Sequence, residues 1–170
     1  MIQKDYILQQ LENLMAIDSP TGFTARAAEY VMAEYSRLGF APLRTNKGGI
    51  VVQVGGYPDA SNAFLMQAHL DTLGAMVSEI KPNGTLRLTP LGGMNANNAE
   101  GENLRIYTHS GDVFTGTCQL SNPSVHVNSD YNTTPRNWDT MEAVVDDSVC
   151  SKADALALGF SPGNIVAFEP

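Results

Sequence analysis

The stretch Asn62-Ala-Phe-Leu-Met-Gln-Ala-His-Leu-Asp71 divides this chain into two textures. Its apolar part, 62–68, reads as a buried strand that ends in His69-Leu70-Asp71. Residues i and i+2 of a strand share a face. The imidazole and the carboxylate are therefore expected to project together from the strand's C-terminal end, where open α/β sheets build their sites. An imidazole with a carboxylate behind it is how proteins hold a divalent metal: the ring ligates and the carboxylate fixes its tautomer.

Upstream of this stretch the pattern is helical. Ile7, Leu11, Leu14 and Met15 recur at helical spacing, with Gln9, Gln10, Glu12 and Asn13 opposite, which predicts a helix over 4–17. The breakers of 18–23 form a loop, and Thr24 is a candidate N-cap for a second helix. That helix carries Ala27, Ala28, Val31, Met32, Tyr35 and Leu38 on one face and stops at Gly39. Short strands follow at 42–45 and at 50–54, around the turn Lys47-Gly48-Gly49.

Downstream the pattern is strand and turn. Strands are expected at 75–80 and 85–91, joined by a hairpin at Asn83-Gly84 and ending at Gly92-Gly93. A second hairpin joins 104–108 to 113–120 through Ser110-Gly111-Asp112. The polar stretch 121–140 is a long loop, and its length makes it either functional or mobile. A strand at 141–145, a short helix capped by Ser151 and ended by Gly159, and a strand at 165–168 complete the series. The fold class is α/β, with an α/β beginning (1–72) followed by a β-rich domain (73–166), and 167–170 leading back toward the first. Two helices and three strands make a poor core by themselves.

Composition narrows the function. Ten Lys and Arg against eighteen Asp and Glu leave a net charge of −8 without a basic run, so neither nucleic acid nor an anionic membrane is an expected partner. No apolar run approaches a membrane span, and the N-terminus lacks the pattern of a secretory signal, so the cytoplasm is the expected compartment. Cys118 and Cys150 have no CxxC spacing and read as free, partly buried thiols; a disulfide between them stays open. Gly55-Gly56 and Gly92-Gly93 are turns rather than phosphate loops, since no Lys-Ser/Thr follows them. Ala75-Met76-Val77 reads as core.

Several stretches in order resemble the glutamyl-aminopeptidase and tetrahedral-aminopeptidase family of metallopeptidases. They are Ser19-Pro-Thr-Gly22, Lys47-Gly-Gly-Ile50, the run from Ala68 to Val77 that contains His69 and Asp71, Asn83-Gly84, Leu91-Gly-Gly93, 111–116 and 151–166. The resemblance implies a peptidase domain of α/β/α type, interrupted after the HxD strand by a β-rich dimerisation domain with a PDZ-like or barrel-like fold. It also implies that His69 ligates one of two divalent metals, zinc or cobalt, and that Asp71 is the catalytic-site carboxylate orienting it. Peptide substrates, dimers through the inserted domain and a possible dodecamer follow from the same likeness. In such peptidases two metals activate a water, and a Glu, usually one of an adjacent pair, takes its proton. Nothing else in 1–170 matches a ligand or base of the family, and there is no Glu-Glu. The resemblance is thus to an N-terminal portion, and inactivity of the isolated 170 residues is expected.

The bland readings compete residue by residue. His109 and His126 would belong to the inserted domain and serve structure or assembly. Asp146-Asp147 reads as a cap for the turn before Ser151 rather than an acid–base pair, because adjacent strand-end residues face opposite ways. The rival for the whole chain is a non-catalytic dimerisation or interaction module. A glycan hydrolase has no support, as no two carboxylates pair sensibly.

Overall fold

A computed structural model of the chain describes residues 3–56 and 63–169. The chain divides into two units, Met1–Asp71 and Thr72–Pro170.

In the first unit, helices α1 (Lys4–Met15) and α2 (Ala25–Arg37) are joined by hydrogen bonds. Tyr6 donates to Glu34 at 2.7 Å, and the Tyr30 hydroxyl accepts from Asn13 and donates to Gln10, both at 2.8 Å. Tyr6, Gln10 and Asn13 lie at i, i+4 and i+7, so the polar stripe of α1 faces α2. Most of the apolar stripe read from the sequence is open: Ile7, Leu11 and Met15 are 45–55% exposed, and Leu14 is half-buried. A stripe is buried only where another element offers apolar surface. Among the described residues of this unit only Pro20, Ala27 and Ala28 are fully buried apolar side chains.

Helix α2 starts after Thr24, but the Thr24 side chain makes no capping bond there. Its end follows the sequence closely. Gly39 has φ +88°, its N–H donates to the Ser36 carbonyl, and the Phe40 N–H donates to the Tyr35 carbonyl. This pair of bonds is a Schellman closure. The Tyr35 and Phe40 rings meet edge-on at 6.1 Å and cover it. Strands β1 (Leu43–Arg44) and β2 (Ile50–Val51) pair antiparallel across the expected glycine turn.

The apolar run does not form the buried strand the sequence suggests. Residues 63–70 have no ladder partner among the described residues, and Phe64, Leu65 and Met66 are 88%, 79% and 84% exposed. Propensity supplies a strand's side chains, but the strand itself exists only as a member of a ladder. Asn62, where the run begins, lies outside the described residues.

The second unit is a closed six-stranded barrel. Its strands are β3 (Gly74–Ile80), β4 (Leu86–Leu91), β5 (Asn103–Tyr107), β6 (Val113–Leu120), β7 (Met141–Val145) and β8 (Ile165–Phe168). They run in the order β3-β4-β7-β6-β5-β8, with β8 returning to pair with β3 and every pair antiparallel. Closure leaves no free edge. Of the two forms expected for this part, the structure has the barrel. The β3–β4 hairpin turns through Pro82-Asn83-Gly84, with Gly84 at φ +88° and Lys81 N–H bonded to Thr85 O. That is a three-residue loop, one residue longer than the tightest Asn-Gly hairpin.

Alternate residues of the strands fill the barrel, among them Val77, Leu86, Leu104, Ile106, Leu120 and Val166. Helix α3 (Lys152–Ala157) adds Ala155, and Phe160 after it meets Phe114 with ring centroids 4.8 Å apart. Its cap is a capping box. Ser151 accepts from the Asp154 N–H, and the Asp154 carboxylate accepts from the Cys150 N–H.

The 121–140 loop is tied down by Arg136. Its guanidinium donates to Glu100 at 2.8 and 3.1 Å and to the carbonyls of Tyr131 and Thr134, and it stacks over the Tyr131 ring at 4.7 Å.

Gly116, in β6, lies close against the backbone of β7. A Cβ there would sit 2.5 Å from the Val144 carbonyl oxygen and 3.3 Å from the Val145 Cα, both backbone atoms of β7. Neither can turn away as a side chain could. Gly116→Ala is expected to destabilise the protein by about 2–3 kcal/mol in urea unfolding. Gly93→Ala, with nothing within 4 Å, is the control, expected to stay within about 0.5 kcal/mol. Equal midpoints for the two would refute the contact.

Candidate functional site

The site is built on the loop between the two helices and on the segment that ends the first unit. Pro20 O accepts from the Phe23 N–H at 2.7 Å, and Gly22 has φ +89°, the features of a type II turn. Thr21 occupies its second position, with Ser19 and Pro20 buried in front of it. The Ser19 hydroxyl donates to the Leu70 carbonyl at 2.9 Å, and the Thr21 hydroxyl donates to Asp71 Oδ2 at 2.6 Å. Two consecutive residues of the His-Leu-Asp segment are thus gripped by one short turn.

His69 and Asp71 do come together. Asp71 Oδ1 lies 3.2 Å from His69 Nδ1, and the Asp71 carbonyl oxygen lies 3.0 Å from the same nitrogen. Residues 69–71 belong to no ladder, so the two side chains meet in a segment without regular secondary structure and not on a pleat. The Thr21 hydroxyl holds the Asp71 carboxyl below its ordinary pKa, which keeps it anionic at neutral pH. Both atoms facing Nδ1 are acceptors, so Nδ1 carries a proton, and in the neutral ring Nε2 then carries the lone pair. The His69 side chain is 85% exposed, which leaves that lone pair open to a ligand.

This donor set fits one ligand position of a divalent metal, an imidazole with its tautomer fixed by a carboxylate. Among the described residues no three His, Cys, Asp or Glu side chains gather closely enough to hold a metal. His109 and His126 are exposed residues of the second unit. Asp146 and Asp147 are exposed after β7, where the Val149 N–H donates to the Asp147 carbonyl at 2.8 Å in the turn before Ser151; Ser151 itself caps α3. Cys118 is buried and its thiol is pushed up to about 12 by burial, with the Glu100 charge adding to it. Cys150 is exposed, which corrects the expectation that both thiols are partly buried; both are free.

Sequence reading missed Ser19 and Thr21 as part of the site. The only signal was the stretch Ser19-Pro-Thr-Gly22 itself, which joins the list of resemblances without suggesting a role. Fifty residues separate Thr21 from Asp71, and no periodicity links them.

Comparison with known proteins bears on the site. The sequence profile of the M42 glutamyl aminopeptidase family matches residues 48–170. The Bacillus subtilis protein YhfE, named as a candidate aminopeptidase, is 37% identical over 163 residues, 96% of this chain and 47% of that protein. Among solved structures, a TET aminopeptidase from a marine sediment archaeon of the Thaumarchaeota superposes with a TM-score of 0.81 at 20% identity, over 95% of this chain and 44% of that one. The Pyrococcus horikoshii TET1 peptidase, which assembles into a tetrahedron or a large octahedral shell, gives 0.76 at 23% identity, over 95% and 46%. At these identities the two structures speak for the mixed α/β fold alone. The chain spans about half the length of the curated relatives it matches.

Proposed function

The chain belongs to the M42 glutamyl aminopeptidase family, and on that premise we propose that it carries one corner of a metal-dependent aminopeptidase site, in a protein that removes N-terminal residues from peptides. His69 is the metal ligand, through Nε2, and Asp71 is the carboxylate that orients it. The observation that carries this reading is the enclosure of Nδ1 between two Asp71 oxygens while the far side of the ring stays open. A pair of divalent ions, zinc or cobalt, would supply Lewis acidity for attack of water on the peptide carbonyl. The residues of this chain hold the proton on Nδ1 and spread the positive charge of a ligated imidazole onto Asp71.

The barrel is the dimerisation domain in this reading, and the assembled protein is a homo-oligomer. A closed barrel with its own hydrophobic core, 72–170, supports it, as does the shell formed by the TET1 relative. The same self-sufficient core favours the second reading, a non-catalytic interaction module. No helix among the described residues is long and apolar enough to cross a membrane. An acidic chain of this kind suits the cytoplasm.

Zinc added to the chain separates the two readings when the imidazole nitrogens are followed by NMR. His69 Nε2 should shift first and His109 and His126 little, and His69→Gln should remove the response. Equal response of all three histidines, or none from His69, would sink the ligand assignment.

A further inference from the structure

We propose that Thr21 is a positioning residue of this site: its hydroxyl holds Asp71 so that His69 stays in the tautomer able to ligate through Nε2. This deepens the metal-ligand reading above and rests on it only for the purpose of the tautomer, not for its existence.

A carboxylate turns about its last bond in a broad, two-fold well. The Asp71 side chain is 37% exposed, so water competes for both of its oxygens. Nothing in the sequence His-x-Asp by itself keeps Oδ1 on Nδ1. Thr21 removes the freedom by occupying Oδ2 with a charge-assisted bond of 2.6 Å, about twice as strong as a neutral one. The bond is useful only if Thr21 is itself fixed, and it is. The turn closed by the Phe23 N–H on Pro20 O sets its backbone, and its β-branch narrows the choice of χ1. Ser19, fully buried, ties the same turn to the carbonyl of Leu70, the residue between His69 and Asp71. The loop therefore fixes the segment's backbone through Ser19 and the carboxylate's orientation through Thr21. Both reach the ring, since the Asp71 carbonyl and its Oδ1 each face Nδ1, but only the carboxylate can turn away when its contact is lost.

The conservative variants differ in a single group. Thr21→Val keeps the shape and loses the donor, while Thr21→Ser keeps the donor and loses a methyl. Long-range nitrogen–proton NMR spectra of the full chain, taken well above the imidazole pKa, report the tautomer of each histidine. His126, exposed and outside the site, is the internal reference.

His69 in the parent protein should be mainly Nδ1–H. In Thr21→Val that fraction should fall by about half or more, toward the value of His126. Thr21→Ser should restore it, and circular dichroism should be the same for all three proteins. Zinc affinity read at the His69 nitrogen should fall about tenfold in Thr21→Val, the size of loss usual for a group behind a ligand.

An unchanged tautomer in Thr21→Val overturns the proposal, whatever zinc does. A tautomer that depends on Thr21, in a chain whose His69 ignores zinc, upholds the positioning role and refutes the ligand reading instead.

Discussion

Lys81→Ala should destabilise the barrel by about 3–5 kcal/mol, the cost of leaving a buried charge without its partner. Glu142 lies on β7 and is only 3% exposed, and the Lys81 ammonium bonds directly to its carboxylate. Arg87, opposite Glu142 in the β4–β7 register, does not share the load; it reaches toward Glu79 and Asp139 instead. Removing the lysine therefore strands a carboxylate in a place that water hardly enters. Replacing both partners with methionine should recover most of the loss, because a buried pair exchanged for apolar side chains of similar volume is often neutral. Urea unfolding of Lys81→Met, Glu142→Met and the double methionine variant closes the cycle. A coupling below about 1 kcal/mol would place this pair with ordinary surface ion pairs and contradict the burial.

Glu142 also shows where sequence reading stops. In Met141-Glu-Ala-Val-Val145, alternation points Met141, Ala143 and Val145 inward and leaves Glu142 for solvent. The outer face of β7 is covered at that point, and the glutamate is buried with a lysine sixty-one residues earlier. Strands β6, β7 and β8 were legible to the residue because turn signals bound each of them. Closure into a barrel was not, since it depends on β8 finding both β3 and β5. The run 63–68 fails for the opposite reason. Its composition is that of a buried strand, but a strand's hydrogen bonds belong to its neighbours, and no described residue pairs with it. The first helix repeats the lesson: its apolar stripe is legible in the sequence, while whether another element covers that stripe is not.

The candidate site divides along the same line. His69 and Asp71 were legible because two residues of spacing is a local relation that survives even without the strand. Thr21 and Ser19 were not, because hydroxyls are common and their partners lie fifty and fifty-one residues away. Local chemistry is written in the chain; the shell that steadies it is assembled by the fold.

The largest effect expected of all is a missing one: the 170 residues alone should hydrolyse no aminoacyl chromogenic substrate with added zinc, cobalt or manganese. A catalytic zinc is generally held by three protein ligands, and the geometry here offers one imidazole nitrogen. Asp71 cannot become a second ligand without giving up its place, since Oδ1 faces Nδ1 and Oδ2 accepts from Thr21. Neither glutamate of α2 is suited to be the general base. Such a base works best with a pKa near the working pH, and Glu34 is held down at about 2 by hydrogen bonds from Arg37 and Tyr6. Glu29 is turned toward Arg44. Ligand count and base each argue alone, and they agree. Turnover above the metal-only blank that survives His69→Gln would mean a site elsewhere in the chain. Turnover abolished by that substitution would mean that His69 recruits partners the present geometry does not show, as it could by bringing copies of the chain together. Silence from the parent, alongside zinc response at His69, is the result this arrangement requires.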